Sequence, residues 1–214
     1  MKNPYEFFSV LRERLKEALP GEEAQNRMSS FRSFSTTEYL RRNPAHRKSA
    51  VMILLWPEQA TVYSLLIRRP EYEGVHSGQM AFPGGSSEPE DVDLVQTAIR
   101  ETFEEVGVRV NREQVMGPLT PLYIPASNFL VQPFIACLNE KPAFAADPTE
   151  VSALLEFDLF LILDPQLKKS KQRIYSNGMK AETPYYDIRG FEVWGATAMI
   201  TSELSAIVQE ICSS

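Results

Sequence analysis

Residues 82–108 constrain this chain more than any other segment, because a glycine pair there precedes an acidic helical pattern: FPGGSSEPEDVDLVQTAIRETFEEVGV. At 100° per residue, a helix over 91–106 turns one apolar side toward a sheet. That side consists of Val95, Ala98, Ile99, Thr102 and Val106. Glu101, Glu104 and Glu105 lie beside it, within an arc of about 100°. The glutamates are therefore predicted at the edge of the core and not on the solvated back of the helix.

These three glutamates repel one another. Like charges at this spacing each weaken a helix by about 0.2–0.5 kcal/mol. Two carboxylates about 4 Å apart repel by roughly 4 kcal/mol at an effective dielectric of 20. An arginine, a proton or a divalent cation relieves this repulsion, and carboxylates with water and substrate phosphate are a common environment for Mg²⁺ or Mn²⁺. The alternative is a solvated acidic face, which is typical of charge runs.

The glycines ahead of the helix, Gly84 and Gly85, point to a ligand. Glycine lets a backbone approach a ligand closely and turn its N–H groups toward an anion. A plain turn is the alternative for two glycines alone. Together with the clustered carboxylates, they predict a site that handles a pyrophosphate group.

Residues 84–108 resemble the Nudix box, G-x5-E-x7-R-E-U-x-E-E-x-G-U, in which U is a bulky apolar residue. The second half of the pattern matches at Arg100, Glu101, Glu104, Glu105, Gly107 and Val108. Thr102 replaces an apolar residue, and Asp91 stands in place of the first Glu. Counted from Gly85, one extra residue separates Asp91 from Arg100, which leaves Asp91 without an assigned role.

The resemblance implies an α+β fold, an α/β/α sandwich with a mixed β-sheet between helices, and hydrolysis of a nucleoside diphosphate linked to another moiety. It also implies that Glu101, Glu104 and Glu105 hold Mg²⁺ or Mn²⁺, while Arg100 orients their carboxylates by pairing. A general base must lie within hydrogen-bond reach of the attacking water. In this family it comes from the box or from a later loop. Glu150 is the loop candidate, and a surface residue is the alternative.

The stretch before the box, LLIRRPEYEGVHSGQMAFPGG, resembles the signature of Nudix coenzyme A pyrophosphatases, L-L-T-x-R-[SA]-x3-R-x3-G-x3-F-P-G-G. The matching positions are Leu65, Leu66, Arg69, Gly78, Phe82, Pro83, Gly84 and Gly85. Ile67, Pro70 and Gly74 replace the Thr, the Ser or Ala and the second Arg. The resemblance implies hydrolysis of coenzyme A or acyl-CoA to 3′,5′-ADP and 4′-phosphopantetheine or its acyl form.

Coenzyme A carries a 3′-phosphate beside its diphosphate, so its site should present Arg or Lys donors. Arg69 is the predicted donor to the 3′-phosphate, with Arg68 and His76 as helpers. A solvent-facing strand residue is the alternative for Arg68, and a loop hydrogen bond is the alternative for His76. Because Gly74 replaces the second Arg, ADP-ribose, a dinucleotide or another nucleoside diphosphate derivative is the alternative substrate. A non-catalytic Nudix-fold binding module is the alternative from another class.

The rest of the chain predicts a Nudix hydrolase domain over 49–214, preceded by an N-terminal helix and an irregular extension over 1–48 that pack on it. Asn3 and Pro4 start the helix as N-cap and first helical residue, and its apolar face predicts packing on the domain or on a second subunit, as in a homodimer. Turn signals follow at Asn177-Gly178 and Arg189-Gly190. The aromatic residues of the later strands are predicted mainly as core: Phe129, Phe134, Tyr185, Tyr186 and Trp194.

The composition limits the partners. A net charge of −6 argues against a general nucleic-acid or membrane-surface binder. No apolar run approaches the roughly 20 residues that span a bilayer, and the mixed charges of the first 21 residues do not resemble a secretory signal. Cys137 and Cys212 are too few for a disulfide scaffold. These features predict a cytoplasmic protein that acts on a small molecule, without nucleic-acid or membrane partners.

Overall fold

The computed structural model describes residues 3–30, 35–73, 76–175 and 178–213. Two residues named above, Gly74 and Asn177, lie outside the described residues. The helices are α1 (Pro4–Arg14), α2 (Gly21–Asn26), α3 (Thr36–Arg42), α4 (Leu94–Val106) and α5 (Gly195–Ser213). The strands are β1 (Arg47–Glu58), β2 (Thr61–Arg68), β3 (Met80–Ala81), β4 (Gly84–Ser86), β5 (Val115–Pro118), β6 (Leu122–Ile124), β7 (Phe129–Cys137), β8 (Ala153–Asp158), β9 (Lys168–Ile174), β10 (Lys180–Ile188) and β11 (Phe191–Trp194).

The main sheet is mixed. Within the described residues it has eight strands, whose central path is β3-β2-β1-β7-β5, while β4, β6 and β8 pair with β1, β7 and β2. β1 runs parallel to β7 and antiparallel to β2 and β4. The predicted α+β fold with a mixed sheet among helices is confirmed.

The sheet carries a hydrophobic core on each face, because the side chains of β1 alternate between them. Ile53 and Leu55 belong to the core that α1 and α5 cover. Met52, Leu54 and Trp56 belong to the opposite core, which α4 covers. Helices therefore lie on both faces, and α4 packs directly over β1.

The N-terminal segment is more regular than its sequence predicts. Residues 22–48 are predicted to be irregular, but the structure forms α2 and α3 there, and Ser35 caps α3 by accepting a hydrogen bond from the Glu38 amide at 3.2 Å. At the other end of the segment, α1 begins as predicted, with the Asn3 side chain accepting from the Tyr5 amide at 3.0 Å. Helical structure ends at Arg14, although Leu15 and Leu19 still pack against the core.

A buried carboxylate fastens α2 to the domain. Glu203 of α5 is fully buried and accepts hydrogen bonds from the Gly21 amide at 3.1 Å and the Gln25 side-chain amide at 2.9 Å. The Thr120 hydroxyl donates to the same carboxylate at 2.6 Å. Burial of a charge is costly unless hydrogen bonds compensate for it, so these donors make the attachment of α2 specific.

A second antiparallel sheet of β9, β10 and β11 leads into α5. Arg189 and Gly190 connect β10 to β11 with φ angles of 51° and 84°, as a two-residue turn with two left-handed residues requires. This predicted turn is confirmed. Across the described ranges, none of the helices combines the length and apolarity needed to cross a bilayer.

Candidate active site

Helix α4 starts later than its sequence pattern predicts. Asp93 is the N-cap and accepts from the Gln96 amide at 2.9 Å, so residues 91–93 lie outside the helix. Thr102, which replaces an apolar residue of the family pattern, is fully buried. Its hydroxyl donates to the Ala98 carbonyl at 2.6 Å, so the buried polar group has a partner. The helix ends at Gly107, whose φ of 72° is left-handed.

The glycine segment lies against β1 and α4 with no room for side chains. A Cβ on Gly84 would lie 2.2 Å from the Ala50 carbonyl oxygen. A Cβ on Gly85 would lie 2.5 Å from the carboxylate of Glu101. Glycine at both positions therefore brings the carboxylates of α4 against the backbone of β4.

Glu105 is the innermost of the three glutamates. Only 2% of it is exposed, and its Oε2 accepts a hydrogen bond from the Gly84 amide at 2.7 Å. Burial raises the pKa of Glu105 to about 7. The Gly84 amide therefore donates to a carboxylate of the protein itself, and the predicted contact of Gly84 with the substrate stays a prediction.

Arg100 joins the outer glutamates to the loop before the helix. Its Nη1 donates to Glu101 at 3.0 Å and to Glu104 at 2.9 Å. Its Nε and Nη2 donate to the two carboxylate oxygens of Asp91 at 3.2 and 3.0 Å. These hydrogen bonds lower the pKa of Asp91 to about 2. Asp91, which has no predicted role, thus fixes the orientation of Arg100.

The loop that carries Glu150 docks on the end of α4. A Cβ on Gly107 would lie 2.8 Å from that of Ala145, so the missing side chain permits this approach. The Asp147 amide then donates to the backbone oxygen of Glu105 at 3.0 Å. Glu150 is exposed. Its negative charge raises the pKa of Glu105, although the burial of Glu105 raises that pKa more. The structure therefore brings Glu150 to the same site as the helix glutamates.

The three helix glutamates have the donor chemistry that suits a divalent cation, but they are not arranged as a complete metal site. Among the described residues, no group of three or more His, Cys, Asp or Glu side chains is placed so that it could hold a metal ion by itself. Burial raises the pKa of both Glu101 and Glu105, whereas half of the Glu104 side chain is exposed. Mg²⁺ is usually held by one or two carboxylates with water and substrate phosphates completing the shell. These glutamates fit a divalent cation of that kind.

A cavity of about 1290 Å³ begins at this site, and Gly84, Gly85 and Arg69 line it. Arg69 donates to the Gly84 carbonyl at 3.1 Å, so its guanidinium lies beside the glycine segment. His76 also lines the cavity, with its Nδ1 3.2 Å from the side-chain oxygen of Gln79.

Arg68 does not line this cavity. It donates instead to Glu71 at 3.1 Å and lies near the Gly78 carbonyl. The structure therefore favours the alternative stated for Arg68, a strand residue outside the substrate site.

The second sheet also lines the cavity, with Lys171, Arg173 and Trp194. The sequence pattern predicts Trp194 as strand core, and Lys171 and Arg173 are not among the predicted site residues. Lys171 and Arg173 alternate on one face of β9, which is the one local signal that indicates a basic surface.

A family model and several known proteins match this chain. The model of the NUDIX domain matches residues 46–177. A protein named Uncharacterized Nudix hydrolase NudL from Photorhabdus laumondii is 32% identical over 153 residues, which cover 68% of this chain and 76% of the relative. A protein with the same name from Yersinia enterocolitica is 30% identical over 171 residues, which cover 76% of this chain and 81% of the relative.

Solved structures show the same fold. The NUDIX domain of NrtR from Shewanella oneidensis, complexed with ADP ribose, superposes with a TM-score of 0.53 at 15% identity, covering 83% of this chain and 98% of that one. A MutT/nudix family protein from Enterococcus faecalis superposes with a TM-score of 0.52 at 17% identity, covering 90% and 76%.

Proposed function

Because the chain belongs to the Nudix family of hydrolases and is a pyrophosphatase, we propose that it cleaves the diphosphate of coenzyme A or an acyl-CoA with Mg²⁺ or Mn²⁺. The products are 3′,5′-ADP and 4′-phosphopantetheine or its acyl form. The observation that carries this proposal is a large cavity lined by Gly84 and Gly85, the glycine segment against which the acidic cluster packs.

The size and lining of the cavity support a long substrate. Most sites for small molecules measure about 300–1,000 Å³, and this cavity measures about 1290 Å³. Apolar side chains line one part of it, including Phe82, Leu122, Phe129 and Met199. Cationic side chains line other parts. A substrate with an apolar pantetheine arm and a phosphorylated nucleoside arm matches both linings.

The residues of the site divide the chemical work. Glu101, Glu104 and Glu105 would hold the divalent cation, which supplies positive charge that polarises the phosphoryl group and acidifies the attacking water. Arg100 orients two of these carboxylates. Glu150 takes the proton from the attacking water as general base. It is exposed, and its charge raises the pKa of Glu101 and Glu105.

Arg69 contacts the diphosphate in this scheme. The sequence predicts a contact of Arg69 with the 3′-phosphate, and we propose the diphosphate in its place. Its hydrogen bond to the Gly84 carbonyl holds the guanidinium beside the glutamates, where the scissile diphosphate must lie. A planar guanidinium forms paired hydrogen bonds with phosphate oxygens.

A substrate panel tests the proposal. The purified protein with Mg²⁺ or Mn²⁺ is given coenzyme A, an acyl-CoA, ADP-ribose and a dinucleotide, and the products are resolved by chromatography. Release of 3′,5′-ADP from coenzyme A is the expected result. Hydrolysis of ADP-ribose or the dinucleotide without hydrolysis of coenzyme A would reject the substrate, while leaving the reaction class intact. ADP-ribose belongs in the panel because the NrtR domain binds it.

The cytoplasmic location and the homodimer stay predictions from the sequence. The domain division at residues 48 and 49 also stays a prediction. β1 starts at Arg47 and the family match at residue 46, so we propose that the hydrolase domain begins with this strand.

A further inference from the structure

We propose that Lys171, Arg173 and Trp194 form a subsite for the ribose-bound 3′-phosphate and the base of the substrate's nucleotide half. The inference rests on the proposed function, because it names the part of the molecule that recognises that substrate. It assigns to β9 and β11 the phosphate contact that Gly74 leaves unfilled in the sequence pattern.

The cluster has a surplus of positive charge. Glu192 accepts hydrogen bonds from both Lys171 and Arg173, so two cations share one carboxylate. The Arg173 guanidinium lies 4.3 Å from the centroid of the Trp194 ring, and Tyr175 packs edge-on against the same ring at 6.4 Å. The stacking holds the guanidinium in place, so its planar donors are presented in one orientation.

Arg173 has an unused donor. Among the residues that the structure describes, its Nε is buried and has no hydrogen-bond partner. A buried polar group without a partner is rare and calls for an explanation. A phosphate oxygen supplies the missing acceptor, and a hydrogen bond between two charged groups is stronger than one between neutral groups.

The cluster and the glycine segment are walls of the same cavity. Thr197, three residues after Trp194, donates to the Met80 carbonyl at 2.8 Å, so the start of α5 is tied to β3. Met80 precedes Gly84 by four residues, which span roughly 14 Å at most. Because both segments line this cavity, we place the 5′-diphosphate beside Gly84 and the ribose-bound phosphate at Arg173.

A pair of isomers tests the subsite without turnover. Both 3′,5′-ADP and 5′-ADP carry two phosphates, and they differ only in where the second phosphate is attached. Calorimetry on the full chain in EDTA is expected to show at least tenfold tighter binding of 3′,5′-ADP. Arg173→Met keeps much of the side-chain stem over Trp194 and should abolish this preference.

Lys171→Met provides a second variant of the same cluster and should reduce the preference. Lys169→Met is the matched control, because Lys169 lies on the same face of β9 but pairs with Asp187 outside the cavity. It should keep the preference of the wild type. Thermal unfolding confirms that each variant is folded.

The outcomes separate this inference from the proposed function. Equal binding of the isomers by the wild type overturns the subsite, and so does a preference that survives in both folded cluster variants. If the preference depends on Arg173 but coenzyme A is not hydrolysed, the subsite stands and the proposed substrate fails. If both hold, Arg173→Met should raise KM about tenfold for coenzyme A and leave KM for dephospho-CoA unchanged.

Discussion

Replacement of Glu105 by Gln should stabilise the metal-free protein at alkaline pH while removing most of its turnover. The wild-type carboxyl is buried, and its pKa rises from 4.5 to about 7. At 1.36 kcal/mol per pKa unit, this rise corresponds to a penalty on the order of 3 kcal/mol for the ionised form. Gln keeps the acceptor for the Gly84 amide through its carbonyl oxygen but carries no charge.

The sign of the effect follows from proton binding. Below about pH 4.5 the carboxyl is protonated in both the folded and the unfolded chain, so burial of the side chain carries no charge penalty. As the pH rises toward about 7 the unfolded chain ionises first, and the free energy of unfolding decreases. Above that pH the folded chain also ionises, and the loss levels off. The Gln variant lacks this loss.

Urea unfolding of both proteins in EDTA at pH 5 and pH 8 measures the effect. From pH 5 to pH 8, the free energy of unfolding of the variant should increase relative to that of the wild type by about 2–3 kcal/mol. Glu113→Gln, an exposed control on the 3₁₀-helix Arg112–Gln114, should show no such shift. A difference that stays constant with pH would refute the reasoning. Added Mg²⁺ at 100 times its Kd should stabilise the wild type by about 2.7 kcal/mol, and the variant by less.

Three further substitutions test other parts of the molecule. Gly85→Ala should lower kcat at least tenfold with little loss of stability, because the added Cβ displaces the Glu101 carboxylate. Gly117→Ala is the control in the same activity assay, because its Cβ would meet only ordinary contacts at 3.7 Å. Glu150→Gln should lower kcat by about 10²- to 10⁴-fold with KM nearly unchanged, and near-normal kcat would exclude Glu150 as general base. Glu203→Ala should reduce the free energy of unfolding by about 3–5 kcal/mol in urea titrations, because several buried donors lose their acceptor. A loss below about 1 kcal/mol would show that the hydrogen bonds to Glu203 contribute little to stability.

Helix α4 could be predicted because its signals are local. The 3.6-residue repeat places Ala98, Thr102 and Val106 in the core, and the structure buries all three. The glutamates then follow at the edge of the core by rotation about the helix axis. Glu105 is more deeply buried than its position on the helix indicates, because β4 lies against it and supplies the Gly84 amide.

The features that sequence reasoning missed depend on contacts between distant segments. Asp91 can pair with Arg100 because the helix begins after Asp93, its N-cap. In the sequence, Asp91 and Asp93 are both possible starts of the helix. The role of Arg69 depends on where β2 meets the glycine segment. Arg173 faces the cavity only because the second sheet packs beside β3, and no periodicity in β9 reports that arrangement.

The attachment of α2 through Glu203 has a consequence for how such enzymes diversify. Glu22, Gln25 and Asn26 of α2 line the cavity together with Tyr39 of α3, although the family match begins only at residue 46. Ligand selectivity can therefore change by exchange of a peripheral segment, while the acid cluster and its hydrolytic chemistry remain as they are.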